Sequence, residues 1–280
     1  MKGKIRYINA GGKLLDLKIP RVMGILNVTP DSFYSGSRFM NETDIIGAAV
    51  RMKEEGADIL DIGGYSSRPG AHDVSAAEEG NRVLNAVRLV SRELPEMIIS
   101  VDTFRAGIAM EAVEKFGATM VNDISGGEAD PGMYDAIEKL NVPYVLMHMK
   151  GTPKTMQNDP VYDDVVADIL KWFGKRIVRL HSAGVKDIII DPGFGFGKTA
   201  THNFEILRRF EEFSIAGLPV LAGLSRKAMI WKTLGISAEE ALNGTSALNM
   251  AALMRGADIL RVHDVKQAVE VVKLFRNLQD

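Results

Sequence analysis

Eight short apolar runs, most of them ending at or next to a polar residue, recur along this chain of 280 residues. They are VMGILNV (22–28), ADILDIG (57–63), MIISVD (97–102), TMVNDI (119–124), PYVLMHM (143–149), DIIIDPG (187–193), PVLAGLS (219–225) and ADILRVH (257–263). Most are continuously apolar rather than alternating, the pattern of strands covered on both faces in a parallel sheet. Amphipathic stretches such as TDIIGAAVRMKEEG (43–56) and AAEEGNRVLNAVRLVSREL (76–94) lie between them. Gly56, Gly117, Gly184 and Gly256 each stand shortly before the next run, where glycine supplies the left-handed cap that ends a helix.

Helix, glycine, strand and polar loop, repeated eight times, predict an α/β fold: a (β/α)8 TIM barrel spanning 1–280 as a single domain. An open doubly wound sheet uses the same units, but eight evenly spaced ones favour closure. Residues 1–20 fall outside the repeat. There NAGGK, between KIRYI and KLLDLKI, reads as a hairpin turn, so a short N-terminal β-hairpin is expected over the barrel's N-terminal end. The phrase GADIL occurs at 56–60 and again at 256–260, as one helix-to-strand junction built twice. Only the endings differ: DIGG after the first copy, RVHD after the second.

Composition narrows the function. The net charge of −2 gives no global field for nucleic acid or an acidic membrane, so an anion site has to be local. The chain has no Cys, which excludes disulfides, thiolate metal sites and a cysteine nucleophile. The first twenty residues hold no apolar core of signal-peptide length, and no stretch approaches the ~18 apolar residues of a membrane span. A cytoplasmic protein without membrane or nucleic-acid partners is expected.

In a barrel of this kind the chemistry sits where strands end and the following loops begin. The strand ends read Asn27; Asp61; Asp102 and Thr103; Asn122 and Asp123; His148; Asp191; Ser225, Arg226 and Lys227; Arg261, His263 and Asp264. Any one of these can be a helix cap or loop anchor, but so many on one rim point to a site. Arg68, Lys227, Arg261 and His263 carry or can carry positive charge. Asp102, Asn122 and Asp191 suit a flat heterocycle, since a carboxylate accepts two N–H donors and an amide offers one donor and one acceptor. The set suggests a heterocyclic substrate carrying phosphate, with Asn27 an oxygen ligand suited to a hard cation.

Two motifs fail on inspection. In GFGFGKT the phosphate-loop pattern ending at Lys198 would need Gly where Pro192 stands, and Lys198 occupies the third glycine of GxGxxG. The five histidines lack HxxxH or HExxH spacing, so a zinc site is not expected. His181 and His202 read as helix-surface or capping residues, and Trp172 and Trp231 as packing residues.

The chain resembles the bacterial dihydropteroate synthases, a pterin-binding family and the target of sulfonamides. The resemblance rests on MGILNVTPDSF (23–33), GADILDIGGYSSRPGA (56–71), SVDTF (100–104), VNDISGG (121–127), LMHMKGTPKTMQ (146–157), DPGFGFGK (191–198), GLSRK (223–227) and RVHD (261–264), which cover all eight strand ends in order. It implies a transferase of folate biosynthesis that joins p-aminobenzoate to 6-hydroxymethyl-7,8-dihydropterin pyrophosphate with Mg²⁺, releasing 7,8-dihydropteroate and pyrophosphate. The pterin C–O bond would ionise first, and Asp102 would stabilise the resulting cation. Carried over by motif, Asp102, Asn122, Ile124, Met147, Asp191, Gly223 and Lys227 would hold the pterin. Asn27, Ser67, Arg68, Arg261 and His263 would grip the pyrophosphate, Asn27 also ligating Mg²⁺. Phe33, Arg68, Pro69, Phe196, Ser225 and Lys227 would hold p-aminobenzoate, its carboxylate at Ser225 and the start of the following helix. Catalysis would fall to Asn27, Asp102, Lys227, Arg261 and His263. A homodimer is expected on the same ground. In one place the sequence departs: the family's second loop often has Glu-Ser-Thr before Arg-Pro-Gly, and here Tyr65-Ser66-Ser67 stands instead.

Other readings are weaker. A pterin-binding, corrinoid-dependent methyltransferase would share the barrel and its pterin readers but has no pyrophosphate to grip, against SRPGA and GLSRK. A non-catalytic paralogue would lack site residues, and none is missing. An aldolase using Lys227 as a Schiff base would leave Asp102, Asn122 and Asp191 without a task.

Overall fold

The computed structural model describes residues 7–29, 41–65, 74–152, 155–156 and 160–279. An antiparallel hairpin comes first, β1 (Tyr7–Ala10) and β2 (Lys13–Asp16). Strands and helices then alternate: β3 (Arg21–Asn27), α1 (Glu42–Glu54), β4 (Ile59–Gly63), α2 (Ala76–Glu93), β5 (Ile98–Asp102), α3 (Ala106–Phe116), β6 (Met120–Asp123) and α4 (Met133–Leu140). The alternation continues through β7 (Tyr144–Met147), α5 (Val165–Ser182), β8 (Ile188–Asp191), α6 (Ala200–Arg208), a 3-10 turn (Phe210–Ala216), β9 (Leu221–Ala222), α7 (Ala228–Leu234), α8 (Leu242–Met254), β10 (Ile259–Val262) and α9 (Val265–Asn277).

The eight strands β3 to β10 lie parallel in the order β8-β7-β6-β5-β4-β3-β10-β9. The two ends of that order meet through a single bridge, Ile190 with Val220, and a hydrogen bond from Ile190 N to the Pro219 carbonyl at 2.9 Å. The expected barrel is therefore present, nearly closed. Among the described residues no helix is long and apolar enough to cross a membrane.

β9 falls furthest short of its apolar run. PVLAGLS suggested a strand over 219–225, and only Leu221–Ala222 pairs fully. Pro219 has no N–H to contribute, and beyond Gly223 the chain turns, with Lys227 N bonded to the Leu224 carbonyl at 3.2 Å and Arg226 at a φ of 53°. The turn carries Ser225 and Lys227 out of the strand.

The strands' two-residue period sorts their side chains into an outer and an inner set. Outward residues such as Leu26, Leu60, Ile99, Val121 and Leu260 pack against the helices in the main core. Inward, the lowest tier is wholly apolar: Met23, Ile59, Ile98, Met120, Val145, Ile189, Leu221 and Ile259, one from each strand. Ile8, Ala10, Leu15 and Leu17 of the hairpin segment complete that cluster, so the hairpin plugs the barrel's N-terminal end as expected. Burying a Leu or Ile side chain is worth about 1.5–3 kcal/mol, which makes this plug a substantial part of the barrel's stability.

Candidate functional site

Two residues further along each strand, the inward tier changes character. Above the apolar floor it reads Ile25, Asp61, Ser100, Asn122, Met147, Asp191, Gly223 and Arg261. Another step on stand Asn27, Gly63, Asp102, Ile124, Ser225 and His263. The described pterin and pyrophosphate candidates occupy these two tiers or the turn after β9.

At the centre is an ion-pair network. Arg261 on β10 donates from Nε to Asp61 Oδ2 at 2.7 Å and from Nη2 to Asp102 Oδ2 at 2.6 Å. Asn122 Nδ2 donates to the same Asp61 oxygen at 2.9 Å. Asp61 is fully buried, and its other oxygen, Oδ1, has no hydrogen-bond partner. Two of the five N–H groups of the Arg261 guanidinium are thus spoken for by carboxylates. Burial pushes the Asp102 carboxyl up to about 7, helped by neighbouring Asp61 and Asp123 and opposed by Arg261. Gly63 opens the space beside it: a Cβ there would lie 3.4 Å from Asp102 Oδ2 and 3.6 Å from Asn27 Oδ1. The Asn27 amide and the Asp102 carboxylate therefore border one point.

Across the barrel, Asp191 is buried at the end of β8 and accepts from Gly193 N at 2.7 Å. Burial raises its pKa, while Lys227 and the Gly193 N–H work the other way. Lys227, at the cap of α7, donates from Nζ to the Phe194 carbonyl and lies 4.5 Å from the centre of the Phe196 ring. Burial draws its ammonium down to about 8, against the pull of Asp191. Gly223 keeps this corner open, since its Cβ would stand 3.8 Å from Asp191 Oδ2 and 3.9 Å from Lys227 Nζ.

An apolar shelf flanks the polar groups. Ile124, Met147, Met149 and Met156 form one cluster, with Phe104 and Phe196 packed against it. Ser225 Oγ lies 3.1 Å from His263 Nδ1 and accepts from His263 N at 3.2 Å. The serine hydroxyl is tied to the histidine rather than presented alone at the helix start. Phe33, Ser67, Arg68 and Pro69 lie outside the described residues.

A buried cluster ties the end of β5 to the start of α2. Glu79, fully buried, accepts from Thr103 Oγ1 at 2.6 Å and pairs with Arg105, whose Nη2 donates to the Val74 carbonyl at 2.8 Å. Tyr65 sets its ring edge-on to Phe104 at 5.0 Å. The departure noted at this position is thus filled by a packing contact at the end of the described segment.

Some strand-end residues are structural. Asp123 faces away from Asn122, as the strand period requires, and binds Ser125, Gly127 and the Tyr144 hydroxyl. His202 completes a capping box with Thr199 at the start of α6. Trp172 packs edge-on against His148 at 5.0 Å and against Phe173.

Asp61 is the residue that strand-end reading left without a role. The signal lay in the repeated phrase: Asp61 and Arg261 hold the same place after GADIL, with opposite charge. Among the described residues no three His, Cys, Asp or Glu side chains gather into a metal cage.

The family model described as pterin binding enzyme matches residues 23–263. The dihydropteroate synthase of Escherichia coli (strain K12) is 45% identical over 267 residues, covering 95% of this chain and 94% of that one. The structure of the Yersinia pestis dihydropteroate synthase with a sulfonamide drug complex superposes with a TM-score of 0.93 at 41% identity, over 98% of this chain and 99% of the other. That of Xanthomonas albilineans dihydropteroate synthase in complex with 7,8-dihydropteroate gives a TM-score of 0.88 at 38% identity, over 98% and 99%. This chain belongs to the pterin-binding enzyme family and stands among its dihydropteroate synthases.

Proposed function

We propose that this chain condenses p-aminobenzoate with 6-hydroxymethyl-7,8-dihydropterin pyrophosphate to give 7,8-dihydropteroate and pyrophosphate. The observation that carries the reading is the pair of inward tiers above the apolar floor. A carboxylate at Asp191, an amide at Asn122 and an apolar shelf at Ile124 and Met147 face one barrel mouth, directly above a sealed floor. Those groups match a flat ring with N–H donors on its edge and apolar faces. The Xanthomonas relative holding 7,8-dihydropteroate carries in that molecule both halves that the reaction would join.

The residue roles follow from placement. Asp191 accepts from the pterin's N–H edge, Asn122 supplies an amide beside it, and Lys227 approaches from the Gly223 corner. The reaction breaks the bond between the exocyclic carbon and the pyrophosphate oxygen, whose electron pair leaves with pyrophosphate. Positive charge builds on the pterin, and the ionised Asp102 carboxylate stabilises it in a site that water enters poorly. The p-aminobenzoate nitrogen then forms the new C–N bond and gives up one proton. Phe196 and Lys227 flank that second substrate. Arg261, His263 and Asn27 face the pyrophosphate side, where Arg261 keeps three N–H donors beyond its two carboxylate bonds. No protein nucleophile is required.

Asn27 fits a Mg²⁺ ligand, because its amide oxygen is a hard donor beside the Asp102 carboxylate. Mg²⁺ commonly uses one or two protein oxygens and completes its shell with phosphate and water, which suits a site without a protein cage. Bound there, the ion would neutralise charge on the departing pyrophosphate. The same family reading makes the protein a cytoplasmic homodimer, which sedimentation would register as twice the chain mass.

The deciding assay mixes purified protein, both substrates and Mg²⁺ and follows pyrophosphate release. Release that depends on p-aminobenzoate is expected; its absence sinks the proposal.

A further inference from the structure

Of GFGFGK (193–198), only Phe196 has a place in the proposed reaction, and Lys198 has none. Lys198 is 3% exposed. Its Nζ lies 2.8 Å from the Phe196 carbonyl oxygen, 2.9 Å from that of Gly193, 3.2 Å from that of His148 and 3.0 Å from His148 Nδ1. None of these four partners is a carboxylate. Ordered dipoles hold the nitrogen, much as carbonyl oxygens hold a bound monovalent cation. Burial pushes the Lys198 pKa well below its ordinary value, opposed by Asp191 and aided by Lys227. The surroundings decide for the protonated form. Three carbonyl oxygens within 3.2 Å call for three N–H donors, which an ammonium has and a neutral amine, with two, does not. His148 stays neutral, since burial and then Lys198 push its pKa down to about 2, so Nδ1 can offer a lone pair.

The cage clamps residues 193–197 onto the end of β7. Gly193, at a φ of 70°, sits where a Cβ would fall 2.0 Å from the His148 carbonyl oxygen. Gly197, at 62°, sits where one would fall 2.4 Å from that of Lys150. Only glycine fits such contacts. The far side is pinned by Asn203 Oδ1, which accepts from Gly195 N at 2.7 Å. What the clamped segment presents to the barrel mouth is the Phe196 ring and the Phe194 carbonyl that receives Lys227.

We propose that Lys198 is a positioning residue for the second substrate. By gathering the His148, Gly193 and Phe196 carbonyls onto one ammonium, it fixes the height at which Phe196 and Lys227 wall p-aminobenzoate. The inference rests on the proposed reaction.

Three variants test it. Lys198→Ala deletes the equivalent of propylammonium, Lys198→Met keeps the bulk but not the donors, and His148→Asn removes the ring nitrogen from the cage while leaving the lysine and its three carbonyl partners in place. In both lysine variants the KM for p-aminobenzoate rises tenfold or more. The Kd for a pterin ligand measured alone stays within threefold, and kcat falls less than KM rises. Added propylammonium recovers a fewfold of kcat/KM in Lys198→Ala, while 1-propanol does not, and neither helps Lys198→Met. His148→Asn raises the same KM two- to fivefold. An unchanged KM for p-aminobenzoate in a folded lysine variant overturns the proposal. So does a parallel rise of KM and pterin Kd, equal rescue by propanol, or, should the lysine variants not fold, a wild-type KM in His148→Asn. If the unaltered protein shows no p-aminobenzoate-dependent turnover, the reaction itself is what fails. If it turns over and only the variants look normal, the positioning role alone falls.

Discussion

In both copies of GADIL the glycine closes an outer helix at positive φ, 100° at Gly56 and 89° at Gly256. The next N–H returns to the helix in each case, Ala57 to the Met52 carbonyl and Ala257 to the Ala252 carbonyl. Each aspartate then brackets the start of a neighbouring strand, Asp58 Oδ2 accepting from Val22 N at 2.9 Å and Asp258 Oδ2 from Val220 N at 2.8 Å. Each isoleucine enters the barrel floor and each leucine the outer core. One residue later the copies part: the first has Asp61 and the second Arg261. The two strands flank β3, Ile25 pairing with Asp61 and Met23 with Arg261, and the opposite charges meet at 2.7 Å. One junction, repeated on both sides of a strand, serves as frame. A single position filled with opposite charge in the two copies builds the centre of the site.

The largest effect should come from breaking that pair. Arg261→Met leaves the fully buried Asp61 without its cation, which typically costs 3–5 kcal/mol. We expect turnover to fall by about three orders of magnitude or more, with a clear loss of Tm. Adding Asp61→Leu should return much of the stability, because a buried ion pair replaced by apolar residues is often neutral to folding, yet leave turnover lost. Recovery of activity in the double variant would show that the pair is frame after all.

Asp102→Asn comes next. Its partner Arg261 keeps Asp61, so the fold should hold and a pterin ligand should bind within a fewfold, while kcat falls by about two to three orders of magnitude. The pH profile checks the cause. Burial raises the Asp102 pKa to about 7, so the carboxylate is ionised above that pH and neutral below it. Wild-type kcat should therefore climb as pH rises through about 7 and level off above, and Asp102→Asn should lose that step. A variant that keeps both rate and step would refute the electrostatic role.

How much of this could be read from sequence follows the same division. The apolar runs disclosed the strands because both faces of a parallel sheet are buried, and NAGGK disclosed the hairpin. β9 came out short because Pro219 and the turn at Gly223 interrupt pairing that hydrophobicity alone implies. Asn122, Met147, Asp191, Arg261 and Lys227 could be placed on the rim because each stands at the end of a run. The Asp61–Arg261 bond could not, since it spans 200 residues and depends on the stagger of strands either side of β3. Lys198 was hidden for another reason: its partners include three backbone carbonyls, which leave no trace in residue types.

The frame itself can be tested by removing both brackets in turn. Asp58→Ala frees the Val22 N–H and the Arg21 guanidinium it holds at 2.9 Å, and Asp258→Ala frees the Val220 N–H. A buried donor left unsatisfied costs about 1–3 kcal/mol. Chemical denaturation should show losses in that range for both, somewhat larger at Asp58, with kcat of the folded protein unchanged. A kcat that drops at one copy alone would end the equivalence of the two junctions.

The smallest effect lies in the glycines, where the copies are alike in backbone and differ in surroundings. Alanine at a positive φ of this size is strained by about 1 kcal/mol or more in either place. At Gly56 a new Cβ would also meet Val269 Cγ2 at 3.2 Å, whereas at Gly256 nothing lies within 4 Å. Gly56→Ala should therefore destabilise more than Gly256→Ala, by about 0.5 kcal/mol, because Val269 sits on α9 and can yield only by shifting against its own packing. Equal losses would mean that α9 gives way freely. A larger loss at Gly256 would mean that the junction beneath Arg261 is the stiffer of the two, and that the copy bearing the cation is held more rigidly than its twin.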